Sequence, residues 1–134
     1  MKLVANILLV DDDPQILRLL ELTLTKASHR VATATNWQQV TEHINLYSRD
    51  RKAFDVIFLD LMMPDRSGYD ILRSLNVILH PMPPVVILTA LSGIDYAVQA
   101  LELGATKFIT KPISQEKLLN TVSEVLRGDR SSRF

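Results

Sequence analysis

Val56-Ile57-Phe58-Leu59-Asp60-Leu61-Met62-Met63-Pro64 is the stretch on which the fold turns. Four apolar residues, enough for a short strand, end on a carboxylate, and a proline soon stops the extended run. A carboxylate at the mouth of a buried strand is costly unless something pairs with it or uses it. The arrangement recurs along the chain. Ile7-Leu8-Leu9-Val10 ends on Asp11 and Asp12, Val85-Val86-Ile87-Leu88 on Thr89, and Phe108-Ile109-Thr110 on Lys111. Strands that read as unbroken apolar runs belong to parallel sheets. In open parallel sheets ligands bind beyond the carboxyl ends of the strands. Carboxylates, a hydroxyl and an amine delivered to such ends suit a divalent cation and a phosphoryl group.

Helical patterns separate the runs. Asp13-Pro14 opens the first helix, with Asp13 as N-cap and proline at the first helical position. Leu17, Leu20, Leu24 and Ala27 then recur on one face. Trp37, Val40, Ile44 and Tyr47 mark a second helix, and Ile71, Leu72, Leu75, Ile78 and Leu79 a third. Pro81-Met82-Pro83-Pro84 is a break. Ile94, Ala97, Val98 and Leu101 stripe a fourth helix, stopped by Gly104. Leu118, Leu119, Val122, Val125 and Leu126 stripe a fifth. Strands are expected over about 5–10, 31–35, 55–60, 85–89 and 106–110; the partly polar Val31–Thr35 run suits a sheet edge. Strict alternation of strand and helix implies an α/β fold, a doubly wound five-stranded parallel sheet with helices on both faces and right-handed crossovers. Residues 1–127 are expected to form one domain and 128–134 a flexible tail or a truncated linker.

Composition narrows the function. The chain has 134 residues, long enough for one domain with a core of its own. Lys plus Arg number 15 against 15 for Asp plus Glu, which argues against a free-standing nucleic-acid binder. With no cysteine, disulfides, thiol catalysis and cysteine-held zinc are excluded. No apolar stretch reaches membrane-spanning length and the N-terminus lacks a cleavage-site pattern, so a cytoplasmic location is expected. His29, His43 and His80 are scattered without ligand spacing and read as surface residues.

The segments Val10–Asp13 (VDDD), Asp60–Gly68 (DLMMPDRSG), Leu88–Ala90 (LTA) and Gly104–Pro112 (GATKFITKP) stand in order on successive strand ends. Together they resemble the receiver domain of bacterial two-component response regulators, over about residues 5–127. The resemblance implies strand order 2-1-3-4-5. It makes Asp60 the phosphoryl acceptor and Asp12 the direct Mg²⁺ ligand. Asp11 would help through water, and Asp60 and the Met62 carbonyl would be further ligands. Thr89 and Lys111 would contact the phosphoryl group, Thr89 and Phe108 would form the switch, and the Lys111-Pro112 bond would be cis. It also implies a signalling module that catalyses only its own phosphorylation and dephosphorylation. The phosphoryl group would come from a sensor histidine kinase or phosphotransfer protein. The surface of helix 4, strand 5 and helix 5 would then act on a downstream effector or a missing output domain. Neither nucleic acid nor membrane is a direct partner, and the expected state is a monomer or a weak phosphorylation-dependent dimer.

Several positions depart from the pattern or have simpler readings. Thr106 and Lys107 stand where receivers attached to winged-helix domains often carry two acids, so a salt-bridged dimer through that face is not expected. Tyr96 and Leu103 are expected to be exposed there instead. Met62 and Leu91, two residues after Asp60 and Thr89, offer nothing to an attacking water, which predicts slow loss of phosphate. Gly68 is read as permitting a tight turn, Met62 and Met63 as packing residues, and Trp37 and Tyr47 as helix packing. A hydrolase of the haloacid dehalogenase type would want Asp-x-Asp-x-Thr after the first strand, where this chain has Gln15, and would need room for a cap domain. A receiver that docks without phosphate is opposed by the intact set Asp11, Asp12, Asp60, Thr89 and Lys111. A dinucleotide-binding protein would need a glycine-rich loop after the first strand.

Overall fold

In the computed structural model residues 4–128 are described. The chain runs β1 (Asn6–Val10), α1 (Pro14–Lys26), β2 (Arg30–Ala34), α2 (Trp37–Arg49), β3 (Val56–Leu59), α3 (Gly68–Ile78), β4 (Val85–Thr89), α4 (Ile94–Glu102), β5 (Lys107–Thr110) and α5 (Gln115–Leu126). All five strands pair in parallel in the order β2-β1-β3-β4-β5. Successive strand residues point to opposite faces, so each apolar run feeds two cores. Leu8, Val10, Ile57, Leu59, Val85 and Ile87 pack with Val40, Ile71, Leu72, Leu75, Ala97 and Ala100 from α2, α3 and α4. Ile7, Leu9, Val56, Phe58, Val86 and Leu88 pack with Leu17, Leu20, Leu24, Leu118, Val122 and Val125 from α1 and α5.

Polar residues start four of the helices, Asp13 as expected and three others besides. Asp13 accepts from the Gln15 N–H, Asn36 from Gln39, Ser67 from Asp70 and Ser114 from Lys117. Such a cap contributes about 1 kcal/mol. Gly104 follows the end of α4 with φ 101°, a left-handed backbone that glycine adopts at no steric cost. β2 lies at a sheet edge and is only partly buried, as its composition predicts.

Several expectations are corrected. Ile78, placed in the apolar stripe of α3, is 47% exposed at the end of that helix. Ile94 and Val98 are 64% and 41% exposed, because α4 packs through Ala97 and Ala100, small residues that seat the helix close to the sheet. Leu103 is half-buried against the α2–α3–α4 core, leaving Tyr96 as the more exposed of the pair. Met62 is exposed, and only Met63 packs inward. Gly68 has no left-handed backbone. A Cβ there would stand 2.4 Å from the Leu61 Cα and 2.5 Å from the Asp60 carbonyl oxygen, so glycine serves close approach instead of a turn. Of the tail expected over 128–134, residues 129–134 lie outside the described residues.

Candidate phosphoacceptor site

The register assembles the site. Val10 pairs with Leu59, so the residues that follow them, Asp11 and Asp60, emerge side by side. Both are buried. Asp12, one residue on, is exposed to solvent. Carboxylate oxygens of Asp11, Asp12 and Asp60 all lie within 4.8 Å of one another. Lys111 leaves β5, whose last residue pairs with Thr89, and its long stem reaches across the end of β4. The ammonium donates to Asp11 Oδ2 at 2.5 Å and to Asp60 Oδ2 at 2.8 Å. Backbone donors hold the other oxygens: the Asp13 N–H reaches Asp11 Oδ1 at 2.9 Å, and the Met62 N–H reaches Asp60 Oδ1 at 2.9 Å. No buried side-chain polar atom among the described residues lacks a partner.

The electrostatics follow from this crowding. Burial pushes the Asp11 carboxyl above the usual carboxylate range, against the pull of Lys111 and the Asp13 N–H. For Lys111 burial acts to lower the value, but the bonds to Asp11 and Asp60 outweigh it and hold the ammonium above its ordinary value. One ammonium thus serves two buried acids, with a third carboxylate at the solvent edge. Hard oxygen donors in this number, with one side open, fit a small divalent cation such as Mg²⁺.

The other predicted residues sit as follows. Thr89 is fully buried; its hydroxyl accepts from the Leu91 N–H at 3.4 Å and has no hydrogen bond to the Asp60 or Lys111 side chain among the described residues, while its carbonyl accepts from the Lys111 N–H at 2.7 Å. Phe108 already points inward, 5% exposed, among the residues of the α2–α3–α4 core. A surface cavity of about 290 Å³ borders it, between Ile94, Ala97 and Lys117. The Lys111-Pro112 bond is cis, as the resemblance implies. A second cis bond, His80-Pro81, has no counterpart in the expectations.

Residues 7–123 match the response regulator receiver domain family. The chain belongs to that family. This receiver domain is 37% identical to the response regulator protein PilR of Pseudomonas aeruginosa over 120 residues, 90% of this chain and 26% of that protein. It is 33% identical to the cell cycle response regulator CtrA of Brucella ovis over 125 residues, 93% of this chain and 51% of that one. The chain therefore spans about a quarter to a half of the length of these curated relatives. Among solved structures it resembles the BeF3-activated DrrB receiver domain at 34% identity with a TM-score of 0.75, covering 93% of this chain and 99% of that one. It also resembles NtrX from Brucella abortus at 28% identity and TM-score 0.84, covering 96% of this chain and 28% of that one. The receiver domain has no helix among its described residues long and apolar enough to cross a membrane.

Two features outside the carboxylate cluster had no local signal in the sequence. The Asp65 carboxylate accepts from the Trp37 N–H at 3.3 Å, and the Arg66 guanidinium lies 4.8 Å above the Trp37 ring. These contacts join residues 28 and 29 positions apart, and only the folded chain brings them together. Lys107, noted only as a departure, is buried and paired with Glu124 of α5 at 2.7 Å.

Proposed function

We propose that this receiver domain accepts a phosphoryl group on Asp60 from a phosphohistidine of a sensor kinase or phosphotransfer protein. The observation that carries the reading is the meeting of Asp11, Asp12 and Asp60 within 4.8 Å under one shared ammonium, Lys111. Asp11, Asp12, Asp60 and the Met62 carbonyl would hold Mg²⁺, which when bound neutralises charge on the transferring oxygens. An Asp60 carboxylate oxygen attacks phosphorus; its bond to phosphorus forms as the donor's nitrogen–phosphorus bond breaks, and the electron pair leaves with the imidazole. Lys111 keeps a positive charge at the acceptor throughout, because its bonds to the two acids hold it protonated. A depression of about 540 Å³ lined by Asp12, Met62 and Asp65 adjoins the site.

The consequence is a change of surface. Thr89 leaves its contact with Leu91 for the new oxygens, and the inward position of Phe108 becomes the favoured one of two. The cavity beside Phe108 gives the ring room for the alternative. The face of α4, β5 and α5 then reports to an effector or an output domain, the domain itself being a monomer or a weak phosphorylation-dependent dimer in the cytoplasm. It acts on no separate substrate. The test is intact mass after incubation with acetyl phosphate and Mg²⁺. One phosphoryl group should be gained, absent in Asp60→Ala and blocked by a chelator. No gain by a folded protein would sink the reading.

A further inference from the structure

A cavity lies away from Asp60, along α2 and against the connections that lead into β3 and β4. Its volume is about 920 Å³, within the range of small-ligand pockets. Much of its wall is aromatic and apolar, with Trp37, Ile44 and Tyr47 from α2, the Phe54 ring stacked on Tyr47 at 4.0 Å, and Met82 from the proline-rich connection, beside the uncharged polar side chains of Thr41, Asn45 and Ser48 and the imidazole of His80. Its charge lies at one end. Arg51 and Lys52 are exposed there and make no ion pair among the described residues. Asp55, the acid of the lining, has its carboxylate held by the Asn6 N–H at 2.8 Å. No strand edge is available to a peptide, since β3 and β4 are each paired on both sides. An apolar wall ending in two unpaired cations suits a ligand with one acidic head.

We propose that this groove binds a small amphipathic anion, its apolar body between Tyr47 and Met82 and its acidic head against Arg51 and Lys52. The far end of the groove is Trp37, which Asp65 and Arg66 clamp to the connection that leaves Asp60. A ligand that shifts Trp37 therefore shifts the segment beside the acceptor. This coupling, unlike the binding, rests on the phosphoacceptor reading.

Trp37 is the single tryptophan of the chain, so its fluorescence reports on the groove directly. The probe is anilinonaphthalene sulfonate, with uncharged phenylnaphthylamine as its comparison. Saturable binding with energy transfer from Trp37 is expected. Arg51→Asn with Lys52→Gln should weaken the sulfonate by about tenfold, the scale of one lost charge-assisted contact, and leave the uncharged dye unchanged. Asparagine suits the left-handed backbone at Arg51, φ 55°. Ile94→Ser, on the exposed face of α4, should change neither dye. No binding, equal binding to the double variant, or loss of binding in Ile94→Ser would each overturn the assignment. Asp60→Ala must bind the dye as well as the parent, which separates this proposal from the phosphoacceptor reading. Bound dye should alter the rate of labelling by acetyl phosphate; an unaltered rate at saturation refutes the coupling.

Discussion

Asp60 keeps its two carboxyl oxygens in different company, one with the Met62 N–H and one with Lys111. The backbone that presents it is fixed by Gly68, whose N–H donates to the Leu61 carbonyl at 2.9 Å. A methyl group at Gly68 would meet main-chain atoms that have no rotamer to change. Gly68→Ala should therefore cost about 1–3 kcal/mol, the scale of overpacking, and slow the labelling of Asp60. Thermal melts beside the mass assay check both effects; an unchanged melt would mean the connection yields freely. Met62 bears on the opposite step. Its exposed thioether offers an attacking water no hydrogen bond of consequence, so Met62→Asn should shorten the life of the acyl phosphate severalfold. A longer-lived phosphate in that variant would contradict the argument.

At the level of elements, the joint between the starts of β1 and β2 carries a pH dependence. His29 Nδ1 accepts from the Ala5 N–H at 3.1 Å, and burial holds the imidazole below its ordinary value of 6.5. The unfolded chain then binds the proton more readily than the folded one. The contribution of this joint is complete above the unfolded value and is lost as pH falls through the folded one. The melting temperature should drop between about pH 7 and 5 more for the parent than for His29→Asn, whose side chain can still accept. Equal drops would place the dependence elsewhere. The sequence had marked His29 as a surface residue, because nothing local says that a strand end 24 residues away will cover it. The strands themselves were legible, since burial on both faces forces unbroken apolar runs, and the start of α1 was legible from its cap, Asp13. α4 was misread for the reverse reason. Its stripe held Ile94 and Val98, but contact with the sheet favours Ala97 and Ala100. The acidic site was legible because Asp11, Asp12 and Asp60 end apolar runs, and the resemblance implied the β1–β3 pairing that brings those ends together. Thr89 was legible by position only, and its hydroxyl faces Leu91 here.

For the whole molecule, the site is where stability and ligand meet. Two buried carboxylates sharing one ammonium leave the folded state short of positive charge. A cation that binds the folded chain alone must stabilise it, by about 2.7 kcal/mol at a hundredfold excess over Kd. Mg²⁺ should therefore raise the melting temperature, and Asp12→Asn should abolish the rise without lowering the metal-free value, because Asp12 is exposed and holds no core contact. Calorimetry with and without chelator decides the matter; an intact rise in the variant would remove Asp12 from the ligand set.

The strand order has a consequence for where the molecule opens first. β1 and β3 are hydrogen-bonded on both sides, whereas β2 and β5 each lend only one side to a neighbour. Amide hydrogens of Ile7 to Val10 and Val56 to Leu59 can meet solvent deuterium only when the sheet comes apart, so their exchange times the unfolding of the domain. Those of Arg30 to Ala34 can exchange as the margin of the sheet frays, leaving the carboxylates at its centre undisturbed.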